Sequence, residues 1–345
     1  MKLDNSLGKT VLITGGAGFI GSNFIKYFLA KNSKTKVVNL DKLTYAGNLE
    51  NLGEIGNNDR YSFVEGDICD YHLVKTIFKE KSIKGLIHFA AESHVDNSIK
   101  DPNSFIKTNI EGTSVLLEVA KEFWLEEPNV PKGGFENSRF HHISTDEVYG
   151  SLGAEGVFTE ESKYAPNSPY SASKAASDFL VRSYNHTYGL NIVTTNCSNN
   201  YGPNQHDEKL IPTVIRKALN DEPIPIYGDG KNVRDWLYVI DHCEALNTVF
   251  NKGRTGETYV IGGNCEYNNL YIAIKICDIL DELEPKKNGK YQDQITFVEN
   301  RLGHDYRYAI DFSKISEELN WEPKENFESG IRKTIKWYAQ KYLGK

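Results

Sequence analysis

Two groups of residues near the middle of the sequence carry side chains that could move protons. Tyr170 and Lys174 are four residues apart, so on a helix they would lie one turn apart on the same face. A nearby ammonium group favours an ionised phenol, so we predict that Lys174 lowers the pKa of Tyr170 from about 10 and makes it a usable base near neutrality. Upstream, Thr145, Asp146 and Glu147 supply a hydroxyl and two adjacent carboxyl groups. Together the five side chains predict proton transfer at more than one carbon atom of a substrate.

Either group could also be structural when it is considered alone. A Tyr-x-x-x-Lys spacing arises by chance on many helices, and a Thr-Asp-Glu triplet could simply cap a helix. The chemical interpretation therefore depends on the strands and helices that must bring the two groups together.

A dinucleotide-binding turn is predicted at the start of the chain. A short buried strand, Thr10–Thr14, runs directly into glycines at positions 15, 18 and 21, and the apolar spacing beyond them predicts a helix over Phe19–Lys31. Glycines at this spacing allow a tight turn, close approach of a pyrophosphate to the backbone, and close packing of helix on strand. The helix N-terminus adds N–H donors and positive potential for the phosphates.

The second predicted strand indicates which dinucleotide binds. Lys36–Asp41 ends in an acid that stands 20 residues after Gly21. A carboxylate at that place accepts hydrogen bonds from the adenosine ribose hydroxyls and repels a 2′-phosphate, so NAD is predicted rather than NADP. The alternative, a surface aspartate at a strand end, leaves the spacing unexplained. The full set of predicted cofactor residues is Gly15, Gly18, Phe19, Ile20, Gly21, Asp41, Lys42, Asp67, Ile68, Ala90, Tyr170 and Lys174.

Strands and helices alternate over roughly the first 190 residues, which predicts right-handed βαβ units and a parallel sheet. The fold class is therefore α/β, a Rossmann-type doubly wound sheet whose ligands bind outside the carboxyl ends of the strands. His141 and His142 lie within a strand and are interpreted as structural. Further predicted elements are strands at Tyr61–Glu65, Gly85–Ala90, Arg139–Ser144 and Asn191–Asn196, helices at about Asn103–Phe123 and Tyr170–Tyr188, and a loop over Glu126–Ser138.

A second, smaller domain is predicted where the composition changes to Asn, Pro, Gly and charged residues. We assign residues 1–198 plus 238–262 to a dinucleotide-binding domain and residues 199–237 plus 263–345 to a substrate-binding domain. Lys209, Arg234 and Arg301 in the second half could clamp a diphosphate. Each of these cations alone is more often a solvated surface charge.

The composition excludes several classes of function. The chain has 345 residues, of which 39% are hydrophobic and 25% charged, as is ordinary for a globular enzyme. A net charge of −7 argues against a nucleic-acid partner. No apolar run reaches the ~20 residues of a membrane span, and no signal peptide is visible, so a cytoplasmic location is expected. The five cysteines are scattered without a metal-ligand pattern, so no metal site is predicted.

Beyond these motifs, nearly the whole chain resembles the extended short-chain dehydrogenase/reductase superfamily and, within it, the dTDP-glucose 4,6-dehydratase family. The Thr-Asp-Glu triplet is the specific signal, because sugar-nucleotide epimerases and decarboxylases of the superfamily differ there. The stretches that carry the resemblance are Thr14–Gly21, Asp41–Asn48, His88–Asp96, Ser144–Gly150, Pro169–Lys174, Asn196–Pro203, Tyr227–Trp236 and Gly303–Asp305.

The resemblance implies an activity and a role for each residue. The implied reaction is dehydration of a nucleotide-linked glucose to a 4-keto-6-deoxy sugar with a retained NAD. Thr145, Tyr170 and Lys174 match the family's oxidation residues, Asp146 its general acid and Glu147 its base. The residues expected to bind the nucleotide sugar are Ser93, His94, Asn199, Glu208, Lys209, Tyr227, Arg234 and Arg301, with Tyr227 packed on the nucleotide base. The resemblance also implies a homodimer formed by the two long helices, for which Phe105, Leu117 and Phe179 are candidate contact residues unless they are buried within one chain.

Three stretches depart from the family pattern, and all lie in the substrate half. The differing residues are Asn204, His206, Asp207, Cys265, Leu302 and Tyr306. Cys265 replaces an amide that in the family often lies near the diphosphate. These departures leave the nucleotide open, so a dehydratase or epimerase acting on a UDP-sugar is one alternative. A non-catalytic dinucleotide sensor is another, because the same fold can serve different functions. Retention of Thr145, Tyr170 and Lys174 together argues against the sensor.

Overall fold

The computed structural model describes residues 9–300 and 302–344, so the predicted Arg301 lies outside the described residues. The strands, in chain order, are β1 (Thr10–Thr14), β2 (Lys36–Asp41), β3 (Tyr61–Glu65), β4 (Ile83–His88), β5 (Leu125–Glu127), β6 (Val130–Pro131), β7 (Arg139–Thr145), β8 (Ile192–Cys197), β9 (Asn199–Tyr201), β10 (Ile224–Tyr227), β11 (Val233–Tyr238), β12 (Thr258–Ile261), β13 (Glu266–Asn268) and β14 (Ile295–Val298).

The α-helices are α1 (Phe19–Lys31), α2 (Tyr71–Lys81), α3 (Val95–Lys100), α4 (Pro102–Phe105), α5 (Thr113–Trp124), α6 (Pro169–Tyr188), α7 (Leu210–Leu219), α8 (Val239–Lys252), α9 (Asn269–Leu283), α10 (Ser313–Leu319) and α11 (Phe327–Leu343). A π-helical segment, Ile106–Gly112, joins α4 to α5. Short 3₁₀ helices cover Leu49–Ile55, Asp146–Tyr149 and Tyr291–Gln294.

The largest sheet has seven parallel strands in the order β3-β2-β1-β4-β7-β8-β12. The order reverses at β1, because β2 and β3 lie on one side of it while β4 and the later strands lie on the other. In doubly wound sheets ligands bind at such a reversal, outside the carboxyl ends of the strands. The predicted α/β fold with a Rossmann-type parallel sheet is confirmed.

At the reversal, the turn after β1 packs tightly against the turn after β4. Gly15 has a φ of +72°, and a Cβ added there would lie 2.5 Å from the backbone nitrogen of Ala90. The Gly15 N–H also donates to the carbonyl of Leu40 at 3.0 Å, near the end of β2. Three strand ends therefore meet at one residue, and only glycine fits both the backbone angle and the space.

Two predicted elements differ from the observed ones. The helix expected over Asn103–Phe123 is present as one helical stretch from Pro102 to Trp124, but its middle is π-helical. The loop expected over Glu126–Ser138 contains a short antiparallel pair, β5 and β6. A tight turn closes this pair, because Asn129 adopts a φ of 64°, a left-handed conformation that asparagine tolerates well. Proline and glycine content alone predicted only the loop.

Apolar cores lie on both faces of the seven-stranded sheet. On one face, Phe24 and Phe28 of α1 are fully buried, with ring centroids 5.2 Å apart, whereas Ile20, in the same helical stripe, is only half-buried. On the other face, Trp124 is buried and its indole N–H donates to the carbonyl of Ile83 at 2.8 Å. His141 is also fully buried and pairs with Thr195 at 3.1 Å, as expected of a structural histidine.

A second core lies beside the large sheet. It is built by α7, α9 and α11 around two small sheets, one of β13, β11 and β9 and one of β10 and β14. The segment after Asp311 returns to the first core, where Ile315, Leu319 and Trp321 are buried against α8. Among the residues that the structure describes, none of the helices combines the length and apolar character needed to cross a membrane.

The close contact at Gly15 leads to a stability prediction. Gly15→Ala should lower the free energy of unfolding by about 1–3 kcal/mol, because the new Cβ meets backbone and the residue keeps a left-handed φ. Gly53→Ala is the matched control, since a Cβ at Gly53 would have no atom within 4 Å. Urea denaturation of both variants measures the difference. Equal midpoints for the two variants would show that the Gly15 contact can relax without cost.

Candidate functional site

A cavity of about 320 Å³ opens at the carboxyl edge of the sheet, over the turn that contains Gly15. It is lined by every residue predicted to bind the cofactor: Gly15, Gly18, Phe19, Ile20, Gly21, Asp41, Lys42, Asp67, Ile68, Ala90, Tyr170 and Lys174. The five residues predicted to do the chemistry line the same cavity, as do Ser93, Asn199, Glu208 and Lys209. The sequence therefore placed these side chains correctly around one space.

Asp41 connects the end of β2 to the glycine-rich turn. Its Oδ2 accepts the N–H of Ala17 at 2.9 Å, and its Oδ1 accepts the N–H of Leu43 at 2.9 Å. A carboxylate has about four lone-pair sites, so both oxygens keep capacity for ribose hydroxyls. Nearby, Lys42 and Asp67 form an ion pair of 2.8 Å at the rim. The tight turn at Gly15 leaves space for a pyrophosphate beside the backbone. The Asp41 carboxylate at the end of β2 suits a ribose without a 2′-phosphate.

The Thr145–Asp146–Glu147 triplet stands where β7 passes into a 3₁₀ turn. Thr145 is the cap of that turn, because its hydroxyl accepts the N–H of Glu147 at 3.3 Å. The hydroxyl also donates to Asp146 Oδ1 at 3.3 Å. The structural interpretation of the triplet is therefore correct, and it coexists with the chemical one, since all three side chains line the cavity.

Asp146 and Glu147 are adjacent in sequence but differ in their surroundings. Asp146 is 2% exposed, whereas Glu147 is half-buried. Burial raises the pKa of Asp146 well above its usual value, and the charges of Glu147 and Asp235 raise it further. Within the described residues, Asp146 Oδ2 has no hydrogen-bond partner. A raised pKa and an oxygen without a hydrogen-bond partner are properties that suit a proton donor.

Tyr170 and Lys174 lie on α6 and are both buried, but the predicted effect of the lysine on the phenol is wrong in this structure. Burial raises the pKa of Tyr170 well above 10.0, and the charge of Glu147 raises it further. Lys174 Nζ donates to the carbonyl of Ile143 at 2.8 Å, and burial lowers the pKa of Lys174 to about 8. Sequence spacing revealed the lysine one turn away, but it could not reveal the burial or the nearby carboxylate.

A second cavity of about 430 Å³ adjoins the first and shares Glu147, Asn199, Glu208 and Lys209 with it. His94, Tyr227 and Arg234, which were predicted to bind substrate, also line this second cavity. Ser93 lines the first cavity only.

Ionic and polar contacts join the loops between the two cavities. His94 Nε2 lies 3.7 Å from Glu208 Oε2, and Lys209 Nζ donates to the carbonyl of Ser93 at 3.2 Å. These contacts link the loop after β4 to the segment before α7.

Arg234 is only 5% exposed and is held from several sides. Its guanidinium donates to the carbonyls of Val233 at 2.7 Å and Asp305 at 3.0 Å. It also lies over the ring of Tyr308, 4.2 Å from the centroid. Arg234 is therefore a built-in cation at the cavity wall rather than a solvated surface charge.

Sequence reasoning missed several residues of the second cavity. Asn269, at the start of α9, Trp236, His304 and Tyr308 all line it. Another missed residue is Asp178, which lies behind Tyr170 and Lys174 on α6. Its position four residues after Lys174 was a visible signal, since it continues the same helical face.

The departures from the family pattern fall at different distances from the chemistry. Cys265 lines neither cavity, and its backbone N–H donates to Asp235 Oδ1 at 2.8 Å. The Cys265 side chain packs against the second core instead. His206 lines the first cavity, with its ring 5.5 Å from that of Tyr45. Leu302 and Tyr306 are exposed.

The remaining two departures fix the segment before α7. Asn204 Nδ2 lies 3.4 Å from the Ser22 hydroxyl, and Asp207 Oδ1 accepts the Tyr342 hydroxyl at 2.5 Å. These contacts attach the segment to α1 on one side and to α11 on the other.

Comparison with known proteins agrees with this geometry. A family model described as GDP-mannose 4,6 dehydratase matches residues 12–334. The dTDP-glucose 4,6-dehydratase of Xanthomonas campestris pv. campestris (strain B100) is 56% identical over 330 residues, which cover 95% of this chain and 93% of that protein.

Two solved structures are similar over almost the full length. The dTDP-glucose 4,6-dehydratase of Bacillus anthracis, in complex with NAD, has a TM-score of 0.84 and 44% identity, covering 96% of this chain and 97% of that one. The enzyme of the same name from Streptomyces venezuelae, with NAD and TYD bound, has a TM-score of 0.86 and 42% identity at the same coverage. The chain belongs to the GDP-mannose 4,6 dehydratase family and, within it, to the dTDP-glucose 4,6-dehydratases.

Proposed function

We propose that this chain converts dTDP-glucose to dTDP-4-keto-6-deoxyglucose by oxidation at C4, elimination of water across C5 and C6, and reduction at C6. The observation that carries the proposal is the convergence of Tyr170, Lys174 and the Thr145–Glu147 triplet on one cavity beside the Gly15 turn. The Xanthomonas campestris and Streptomyces venezuelae relatives, both named dTDP-glucose 4,6-dehydratase, support the substrate.

The first step places Tyr170 as the base for the C4 hydroxyl. Thr145 would hold that substrate hydroxyl, and the interaction of Thr145 with the phenol opposes the effect of burial on the pKa of Tyr170. Lys174 lines the cavity that would hold NAD⁺ and keeps a cation near the phenol. The residues around the Gly15 turn would hold NAD⁺, which would supply the hydride acceptor for C4, the hydride donor for C6 and a positive charge that favours the phenolate. Oxidation at C4 is needed first, because it makes the C5–H acidic.

The elimination requires an acid and a base at the same time. Glu147 removes the C5 proton, and Asp146 donates a proton to the departing C6 oxygen. Burial and the charge of Glu147 keep Asp146 protonated, so an ionised carboxylate and a neutral carboxyl group can stand side by side. The same two residues allow reprotonation of C5 when C6 is reduced.

The second cavity is the proposed site of the nucleotide diphosphate. Arg234 and Lys209 supply positive charge on its wall, and Asn199 and Glu208 lie where the two cavities join. Tyr227 is 46% exposed at its rim, as suits a ring that packs on a base. We also propose the two domains expected from the sequence, with one change. The segment that contains α10 belongs to the first domain, because Ile315, Leu319 and Trp321 are buried in that domain's core. A cytoplasmic location suits the five cysteines, all of which are free thiols.

The identity of the cofactor can be tested directly. The purified protein should carry NAD(H), because Asp41 would repel a 2′-phosphate and its oxygens are held at the turn by Ala17 and Leu43. Release of the nucleotide by denaturation, followed by chromatography, identifies it. Recovery of NADP(H) instead would contradict the assignment of Asp41.

The carboxylates distinguish a dehydratase from a simple dehydrogenase. Glu147→Gln should leave hydride transfer to NAD⁺ measurable and slow elimination by roughly 10²–10⁴-fold, the usual worth of a positioned base. Tyr170→Phe is the matched comparison, because it should suppress the first hydride transfer itself. In heavy water the wild type should give product labelled at C5, whereas the Gln variant should accumulate NADH with little label. Dehydration at the wild-type rate by Glu147→Gln would remove Glu147 from the role of base.

We also propose a homodimer, with a contact surface revised from the one expected. Phe105 and Leu117 are fully buried within the chain, so they do not serve an interface. Phe179 on α6 is 57% exposed, and Ile106 on the π-helical segment is 53% exposed. Because these two elements pack on each other, both exposed apolar side chains belong to one packed pair of helical segments.

The dimer is tested by charge substitution. Phe179→Glu should convert the protein to a monomer in light scattering at micromolar concentration, because a buried unpaired charge opposes association. Phe297→Glu is the control, since Phe297 is 60% exposed on β14, in the other part of the chain. A monomeric wild type, or equal association of both variants, would contradict the proposed surface.

A further inference from the structure

Asp178 lies on α6, the helix that carries Tyr170 and Lys174. It follows Lys174 by four residues, so the three side chains continue along one helical face. Asp178 is 5% exposed and lines neither cavity. A buried carboxylate is costly unless hydrogen bonds or an opposite charge offset its desolvation, so its partners indicate what it does.

Four side chains donate hydrogen bonds to the Asp178 carboxylate. Its Oδ1 accepts from His142 Nε2 at 3.1 Å. Its Oδ2 accepts from the hydroxyl of Ser144 at 2.9 Å and the hydroxyl of Tyr164 at 2.8 Å. Asn196 Nδ2 donates to the same oxygen at 3.1 Å. The donors come from β7, from β8 and from the loop before α6, so one carboxylate ties three parts of the chain to the helix.

These donors surround the end of β7, where the reactive triplet begins. His142 and Ser144 lie on β7 itself, and Ser144 immediately precedes Thr145. Asn196 on β8 donates to Asp178 and also to the carbonyl of Thr145 at 3.1 Å. The position of Thr145 relative to α6 is therefore set through Asp178.

Lys174 is the cation of this buried junction. Its Nζ donates to the carbonyl of Ile143 on β7 at 2.8 Å. Burial lowers the pKa of Lys174 to about 8, and the charge of Asp178 is the first of the effects that oppose this lowering. Burial raises the pKa of the Asp178 carboxyl, but His142, the charge of Lys174 and the hydrogen bond from Ser144 together outweigh burial and hold that pKa below the usual value.

The other titratable groups packed around the pair are neutral near neutral pH. Burial lowers the pKa of His142 to about 4 and the pKa of His88 on β4 well below its usual value, and the charge of Lys174 lowers both. Burial raises the pKa of Cys197 on β8 to about 12. Burial also raises the pKa of both nearby phenols, Tyr149 and Tyr164. Asp178 and Lys174 are thus the two charges of the junction.

We propose that Asp178 is a positioning residue for the first hydride transfer, which it supports by keeping Lys174 as an ammonium ion and by fixing the end of β7 against α6. The proposal rests on the proposed function, because it assigns Asp178 a part in the oxidation by Tyr170 and Lys174. Asp178 acts through these neighbours, and it touches neither the substrate nor the cofactor cavity.

Asp178→Asn keeps the shape of the side chain and removes its charge. The readout is single-turnover formation of NADH from dTDP-glucose across the neutral and alkaline range. In the wild type this rate should fall as pH rises through the pKa of Lys174, about 8, because the ammonium form is lost above it. In Asp178→Asn the alkaline limb of the pH–rate profile should move to lower pH by about one unit or more, because the opposite charge one helical turn from Lys174 is lost. At neutral pH, kcat should fall by about 10²-fold with KM unchanged.

Tyr164→Phe is the matched control, because it removes one donor but leaves the carboxylate charge and the aromatic packing. Its alkaline limb should coincide with that of the wild type. A coincident limb in Asp178→Asn would overturn the inference, whereas an inactive wild type would overturn the proposed function instead. If Asp178→Asn does not fold, Asp178→Ser, which leaves room for water, replaces it with the same expected shift. Failure of both to fold while Tyr164→Phe folds would assign Asp178 to stability alone and also overturn the inference.

Discussion

The packing of α6 on the end of β7 is the interaction on which the site depends. Tyr170, the proposed base, and Lys174 are on the helix, whereas the Thr145 hydroxyl and the two carboxyl groups are at the strand end. A parallel strand delivers its last residues to the carboxyl edge of the sheet, and a helix that packs on the same edge brings a face to meet them. Neither element could place the five side chains without the other.

Burial at this junction determines the protonation states. A low-dielectric site strengthens every charge interaction, so each ionisable group responds to its neighbours. Asp146 is pushed towards the neutral acid, and Lys174 is held closer to neutrality than a surface lysine. The same burial raises the pKa of Tyr170, so the phenol depends on added positive charge to ionise. Ionisation of Tyr170 is therefore expected to depend on bound NAD⁺, so that oxidation occurs only when the hydride acceptor is in place.

The parts of the fold and site that follow from local spacing could be predicted from the sequence. The strand–glycine–helix order fixed the turn at Gly15, and helix α1 begins and ends where its apolar stripe indicated. Asp41 was found by its distance from Gly21, and the triplet by its position after a buried strand. The alternation of strands and helices gave the parallel sheet. In each case the residues that determine the feature lie within one short stretch of chain, so no contact between distant segments is needed to predict it.

What the sequence could not provide depends on contacts between distant segments. Residues far along the chain set the pKa of Tyr170, the burial of Phe105 and Leu117, and the packing of Cys265 on the second core. The departures from the family pattern follow the same division. Leu302 and Tyr306 are exposed. His206 lines the first cavity, where its ring packs on Tyr45 and leaves the Thr145–Glu147 triplet untouched. Because α6 and the end of β7 fix the five side chains of the proposed chemistry, these departures leave the positions of those side chains unchanged.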